Sequence, residues 1–250
     1  MATQSVEFAN VSFVLADGRE ILHDISFCVE PGTTTALLGR SGSGKTTLLR
    51  TVNALVTPTN GRVLVGECDV ATAEVIPLRR SIGYVIQETG LFPHMTVSRN
   101  VALPLLLPGD QNSDAIARKV EQMLVMVGLS YTELATRYPW QLSGGQRQRV
   151  GVARALAAEP RVLLMDEPFG ALDPLTRAEM QTMLRNLLRG VGVTTLIVTH
   201  DLEEALYLAD RVVLLEAGRV VADLVAGEVR GSEIEAVRKY VAATRRSDIP

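Results

Sequence analysis

Two stretches of this 250-residue chain bring together residue types that handle phosphate. Gly39-Arg-Ser-Gly-Ser-Gly-Lys45-Thr46 fits the pattern GxxxxGK[ST]. In such a loop the backbone N–H groups close on phosphate oxygens where any Cβ would intrude, the Lys reaches the outer phosphates of a nucleotide, and the Thr hydroxyl suits a hard cation such as Mg²⁺. Gly39, Ser41, Gly42, Ser43, Gly44, Lys45, Thr46 and Thr47 are therefore the candidate phosphate ligands. The second stretch, Leu142-Ser143-Gly144-Gly145-Gln146, is another Ser/Gly run ahead of a helical pattern, where free N–H groups attract anions. Between these and the end of the chain, Arg161-Val-Leu-Leu-Met-Asp166-Glu167 is an apolar run ending on two carboxylates. That pair suits phosphoryl chemistry, with Asp166 and Thr46 on the metal and Glu167 on the attacking water. Capping of the following turn is the plainer role for the same two residues.

These groups need elements to aim them. Residues 35–38 read as a buried strand feeding the glycine loop, and residues 46–50 open a helix. Upstream, strands are expected over 6–15 and 21–29 around a turn at Asp17-Gly18, with a further turn at Asn60-Gly61 leading into 62–65. A strand over 82–87 precedes a change of pattern. Ser113 can cap a helix whose Ile116, Val120, Leu124 and Val127 share one face up to Gly128, so residues 89–159 read as a mostly helical insert. Strands resume at Val162, Thr195 and Val212. Asp173-Pro174 reads as a helix start, with Met180, Met183, Leu184, Leu187 and Leu188 as the apolar face. Strands alternating with helices predict an α/β fold built on a mainly parallel sheet covered on both faces, with an antiparallel β layer from the opening strands. A short tail, 227–250, follows, helical over 232–243.

Composition narrows the classes. Apolar residues make up 47% of the chain, yet no uninterrupted run approaches the ~20 residues of a membrane span. The best run, 101–107, is interrupted by Pro104. The first residues lack the basic and apolar regions of a secretory signal. Cys28 and Cys68 are too few for a disulfide framework and lack metal-ligand spacing, which leaves them reduced and structural. A net charge of −3 with both signs interspersed argues against nucleic acid as a partner. Arg238, Lys239, Arg245 and Arg246 form a small basic cluster best read as a solvated face, and His23 and His94 read as surface or turn residues.

The ordered set of motifs resembles the nucleotide-binding subunit of ABC transporters, over about Val6 to Ala226. Its checkpoints are the glycine loop, Gln87 after a strand, the signature Leu142-Ser-Gly-Gly-Gln146-Arg-Gln-Arg149, Leu163-Leu-Met-Asp-Glu167, Ala171-Leu-Asp173, and His200 after a strand. The resemblance implies a P-loop NTPase of RecA-like fold, with residues 1–88 and 160–226 as the nucleotide-binding core and 89–159 as a helical subdomain carrying the signature. It implies ATP and Mg²⁺ as ligands and hydrolysis in a dimer, in which Ser143, Gly144, Gly145 and Gln146 of one copy close the phosphates held by the other. Gln87 would sense the metal and the water, His200 would hold the γ-phosphate and Glu167, and Asp173 would contact the opposite glycine loop.

Partners implied are a second ATPase subunit, either an identical copy or a paralogue, transmembrane permease subunits and, indirectly, an extracytoplasmic binding protein, which would put the chain on the cytoplasmic face of the membrane. Leu91, Phe92 and Met95 fall where permeases dock. The region before the signature lacks the TEVGxxG-like stretch of many exporters, and residues 82–96 and 149–160 are similar to osmoprotectant importer ATPases. Polar amino acid importers and soluble ABC ATPases are the neighbouring readings. One position departs from the family: Leu15 stands where an aromatic ring usually stacks on adenine, with Phe13 the nearest ring.

Overall fold

The structure, a computed structural model, describes residues 3–87, 90–106 and 113–247. Hairpin strands β1 (Val6–Val14) and β2 (Glu20–Val29) are followed by β3 (Thr34–Leu38), the glycine loop and α1 (Lys45–Val52). Next come β4 (Asn60–Val65), β5 (Cys68–Asp69), α2 (Val75–Arg80) and β6 (Ile82–Val85). Helices α3 (Val97–Leu106), α4 (Ser113–Met126), α5 (Tyr131–Leu134) and α6 (Gly144–Ala157) form one stretch. The chain returns through β7 (Val162–Asp166), α7 (Pro174–Val191), β8 (Thr194–Thr199), α8 (Leu202–Leu208), β9 (Arg211–Glu216), β10 (Arg219–Val225) and α9 (Glu235–Ser247).

Two sheets result. The antiparallel one has the order β2-β1-β4-β5, and the larger one the order β10-β9-β3-β8-β7-β6. Pairings β9-β3, β3-β8, β8-β7 and β7-β6 are all parallel, and β10 is an antiparallel edge. Period-two alternation decides what each buried strand touches. Leu37, Leu164, Leu196 and Val198 point toward α1 and the antiparallel sheet, joining Val6, Phe8 and Ile25. Leu38, Leu163, Met165 and Ile197 point the other way, onto the helices, with Val101, Leu124 and Leu156.

Because these strands run the same way, their C-terminal ends share one edge, where open α/β sheets place their ligands. Gly39 follows β3, Gln87 lies just past β6, Glu167 follows β7 and His200 follows β8. Strand order thus gathers residues that are far apart in sequence.

Several local expectations change. Asn60 and Gly61 are not a turn but the first residues of β4, opposite a register shift in β1. Asn10 takes φ 53 there, and a Cβ at Gly61 (φ 79) would lie 2.2 Å from the Asn10 carbonyl oxygen, so the Gly answers a bulge. Ser113 lies inside α4 rather than ahead of it. Pro104 sits within α3, where the missing N–H removes one helical bond without ending the helix. His23 lies in β2 and pairs with Glu20 at 2.9 Å. Cys28 and Cys68 are free, as read from the sequence, and both are exposed. Residues after 226 pack rather than trail, since Val237 and Val241 of α9 belong to the main core. Helix α2 carried no sequence signal. No helix among the described residues is long and apolar enough to cross a membrane. Met1, Ala2, Glu88, Thr89 and Leu107 lie outside the described residues, as do the side chains of Arg245 and Arg246.

Candidate functional site

The glycine loop is folded tightly against its neighbours. A Cβ on Gly39 would meet the Leu215 carbonyl oxygen of β9 at 2.3 Å and Ser43 Oγ at 2.8 Å. Lys45 is 4% exposed, and its ammonium group donates to the carbonyl oxygens of Gly39 and Arg40, each at 2.8 Å. Burial lowers its pKa, opposed by the charges of Glu167 and Asp166. Ser43 Oγ is buried without a hydrogen-bond partner. An inward-drawn ammonium, an orphan hydroxyl and two glycines, Gly39 and Gly44, with no room for a Cβ fit a phosphate group. Gly44 and Lys45 are buried as well, Thr46 and Thr47 are half-buried, and Ser41 and Gly42 are exposed.

Helix α1 turns Thr46 toward β7. Thr46 Oγ1 donates to Asp166 Oδ1 at 2.8 Å, the Tyr84 hydroxyl donates to Asp166 Oδ2 at 3.4 Å, and the Arg50 guanidinium lies 3.9 Å from that oxygen. Burial pushes the Tyr84 phenol up, with Arg50 opposing, so it keeps the proton it donates. Thr46, Arg50, Tyr84, Gln87 and Asp166 line a cavity of about 560 Å³. Hydroxyl and carboxylate are hard oxygen donors of the kind Mg²⁺ accepts. Among the described residues no three His, Cys, Asp or Glu side chains gather to hold a metal, so a cation here would draw the rest of its shell from phosphate oxygens and water.

Glu167 stands beside this pair with φ 44, a left-handed value that a non-Gly residue adopts at some cost. Its N–H donates to the Val198 carbonyl at 3.1 Å, which ties it to β8. Its Oε2 lies 3.3 Å from His200 Nδ1. His200 itself is bracketed by two fixed residues. Thr199 Oγ1 donates to Glu204 Oε2 at 2.7 Å, and Asp201 caps α8 by accepting from the N–H groups of Glu203 and Glu204. Burial raises the Glu204 carboxyl, a shift that the Thr199 hydroxyl counters.

The signature residues are placed differently. Ser143 is the N-cap of α6: its Oγ accepts from Gln146 N–H at 3.2 Å, while Gln146 Oε1 accepts from Ser143 N–H at 3.0 Å, a reciprocal capping box. Asp173 caps α7 and accepts from Thr176 N–H at 3.1 Å, and these hydrogen bonds hold its carboxyl below the usual range. The two helix starts touch, since a Cβ on Gly145 would lie 2.5 Å from Thr176 Cγ2. Ser143 and Asp173 are exposed. The structure therefore links Thr46, Gln87 and Asp166 through one cavity, Lys45 to Asp166 and Glu167 through charge, and Glu167 to His200 through their side chains, while Ser143, Gly144, Gly145, Gln146 and Asp173 form a second group at the starts of α6 and α7.

Leu15 is half-buried in the β1–β2 turn, its N–H donating to the Arg19 carbonyl. Phe13 faces Leu22 across the strand pair and packs into the antiparallel sheet's core. Tyr240 of α9 instead lines a cavity of about 650 Å³ beside Arg40, Ser41, Gly42 and Ser43. In the proposed docking segment Phe92 is exposed, but Leu91 is half-buried and packs onto the core. Buried Asn100 ties this loop down, donating to the Phe92, Met95 and Thr96 carbonyls and accepting from Phe92 N–H. Arg50, Tyr84, Asn100 and Tyr240 escaped the sequence reading. Arg50 was findable as i+4 from Thr46 on one helix, whereas Tyr240 had no local signal.

Comparison with known proteins bears on the family and the fold. A family profile described as ABC transporter matches residues 22–170. A carnitine transport ATP-binding protein of Listeria monocytogenes is 42% identical over 217 residues, 86% of this chain and 54% of the relative. A glycine betaine uptake system ATP-binding protein of Escherichia coli is 44% identical over 217 residues, 86% of this chain and 69% of the relative. A sulfate/thiosulfate import ATP-binding protein of Brucella melitensis is 50% identical over 202 residues, 80% and 55% of the two chains. The chain spans about half the length of most of these curated relatives. Among solved structures, a Clostridium perfringens protein described as part of an ABC transporter complex superposes with TM-score 0.83 at 30% identity, covering 96% of each chain. A dimeric ATP-binding cassette bound to ADP and Pi superposes with TM-score 0.79 at 33% identity, covering 88% of this chain and 98% of that one.

Proposed function

Since the chain belongs to the ABC transporter family, we propose that it is the ATP-hydrolysing subunit of an importer, working as a pair of copies that share their nucleotide sites. The observation that carries this reading is the convergence of Thr46 on Asp166 and of His200 on Glu167 at the C-terminal ends of parallel strands. In this mechanism the glycine loop and Lys45 bind the ATP phosphates. Thr46, Asp166 and Gln87 hold Mg²⁺, which when bound neutralises charge on the phosphates. Glu167 orients the attacking water and takes its proton, and His200 holds the Glu167 carboxylate in place.

The second copy supplies Ser143, Gly144, Gly145 and Gln146 at the positive end of α6, and Asp173 reaches the opposite glycine loop. ATP so sandwiched draws the copies together, and its hydrolysis releases them. A permease docks near Leu91, Phe92 and Met95 on the cytoplasmic face, with an extracytoplasmic binding protein delivering cargo. The cargo we propose is an osmoprotectant or other quaternary amine, the class named in the carnitine and glycine betaine relatives. The higher identity to the sulfate/thiosulfate relative, 50% over 202 residues, favours an oxyanion as the second reading.

Glu167→Gln tests the mechanism. Hydrolysis should fall by about a hundredfold or more, the usual contribution of a general base, while ATP binding persists and a dimer accumulates on size exclusion with light scattering. A variant that stays monomeric at saturating ATP, or that hydrolyses normally, would refute the assignment of Glu167.

A further inference from the structure

Helix α9 is fastened to the core through Val237 and Val241, 4% and 8% exposed, which sit against Leu38, Leu202 and Val212. Tyr240 precedes the second anchor and is half-buried. Its hydroxyl donates to the His200 carbonyl oxygen at 2.7 Å, across a separation of 40 residues. The His200 side chain is 62% exposed, so surrounding side chains do little to hold its ring. Where the imidazole meets Glu167 is set mainly by the backbone that carries it. That backbone runs from Thr199, pinned by Glu204, to Asp201, pinned as the α8 cap, and Tyr240 holds the peptide oxygen between them.

We propose that Tyr240 is a positioning residue for hydrolysis: by fixing the His200 carbonyl it sets the His200–Glu167 geometry, and it makes the rate depend on α9 being docked. This rests on the roles given to His200 and Glu167 above. Tyr240 can act this way at any working pH. Burial, with Asp201 adding and Arg40 opposing, pushes its phenol up to about 12, so the hydroxyl keeps its proton. Tyr240 also lines a cavity of about 650 Å³ together with Arg40–Ser43 of the glycine loop, so displacement of α9 would reshape that side of the site as well.

The test uses the full chain and compares wild type, Tyr240→Phe, His200→Ala and the double variant. Steady-state and single-turnover hydrolysis of MgATP are measured well below each melting temperature. Loss of one hydrogen bond predicts a fall in kcat of about fivefold for Tyr240→Phe, with KM unchanged within about twofold. In the His200→Ala background the same change should add nothing, because the group being positioned is gone. A purely structural Tyr240 would lower the melting temperature and leave kcat at the wild-type value, which overturns the inference. An undiminished Tyr240→Phe effect without His200 overturns it equally. Should His200→Ala alone hydrolyse at the wild-type rate, the role of His200 falls first and the inference with it. A slow His200→Ala beside a normal Tyr240→Phe sinks the inference only.

Discussion

The glycine loop and the signature are both Ser/Gly runs at helix starts, yet the fold treats them in opposite ways. Around the loop every constraint comes from inside the chain. Gly39 is required because the Leu215 carbonyl occupies the place of its Cβ, Lys45 is turned onto loop carbonyls, and Thr46 is already joined to Asp166. At the signature the chain asks less. Ser143 and Gln146 satisfy each other locally, and a Cβ on Gly144 would meet only Leu172 Cδ2, at an ordinary 3.6 Å. Gly145 is needed against Thr176, but no contact among the described residues requires Gly144. In the proposed arrangement a second copy closing on α6 would supply the constraint that this chain's own packing does not place on Gly144.

Gly144→Asp sharpens this contrast most. An acidic residue in the first turn of α6 should leave stability unchanged or raise it by a few tenths of a kcal/mol, yet it places negative charge where phosphate is to be met. Hydrolysis is expected to fall by roughly a hundredfold or more, as when a preorganised anion site is lost. Mixing this variant with Lys45→Ala should restore activity that neither has alone, since a mixed dimer carries one site with both halves intact. Failure of that mixture to recover would break the comparison. Next in size is Gly39→Ala, where overpacking should destabilise the fold by about 1–3 kcal/mol in denaturant titration and weaken nucleotide binding together with it. A stable, ATP-binding Gly39→Ala protein would mean that the loop is not closed in the way described.

Leu15→Tyr should tighten ATP binding if the β1–β2 turn lies beside the base, by at most the roughly 1–3 kcal/mol that stacking provides. Calorimetric affinities equal to wild type would show that the position does not see the base. Ser143→Ala should cost about 1 kcal/mol of stability through the lost cap, with Ser143→Thr recovering it. A larger loss of hydrolysis than of stability would separate the hydroxyl's work across the dimer from its work as a cap.

Local chemistry made much of this legible beforehand. The loop pattern between a strand and a helix, the Ser/Gly run that opens a helix at Ser143 and the Asp173-Pro174 helix start all act between residues a few positions apart, so their spacing in the chain is their spacing in space. The misreading at Asn60-Gly61 came from the same rules applied without neighbours. A Gly that signals a turn in isolation answers a bulge when β1 lies beside it.

By itself, then, the sequence determined the α/β class, the candidate phosphate-handling residues and the two helix starts that carry the signature and Asp173. Tertiary structure decided which of these meet. Thr46 and Asp166 are 120 positions apart and touch because β3 and β7 both flank β8 in one parallel sheet. His200 reaches Glu167 by the same order, and α9 folds back so that Tyr240 meets a peptide oxygen 40 residues earlier. No spacing rule encodes such contacts, because they follow from strand order and from burial of Val237 and Val241, and these are fixed only when the whole core packs at once.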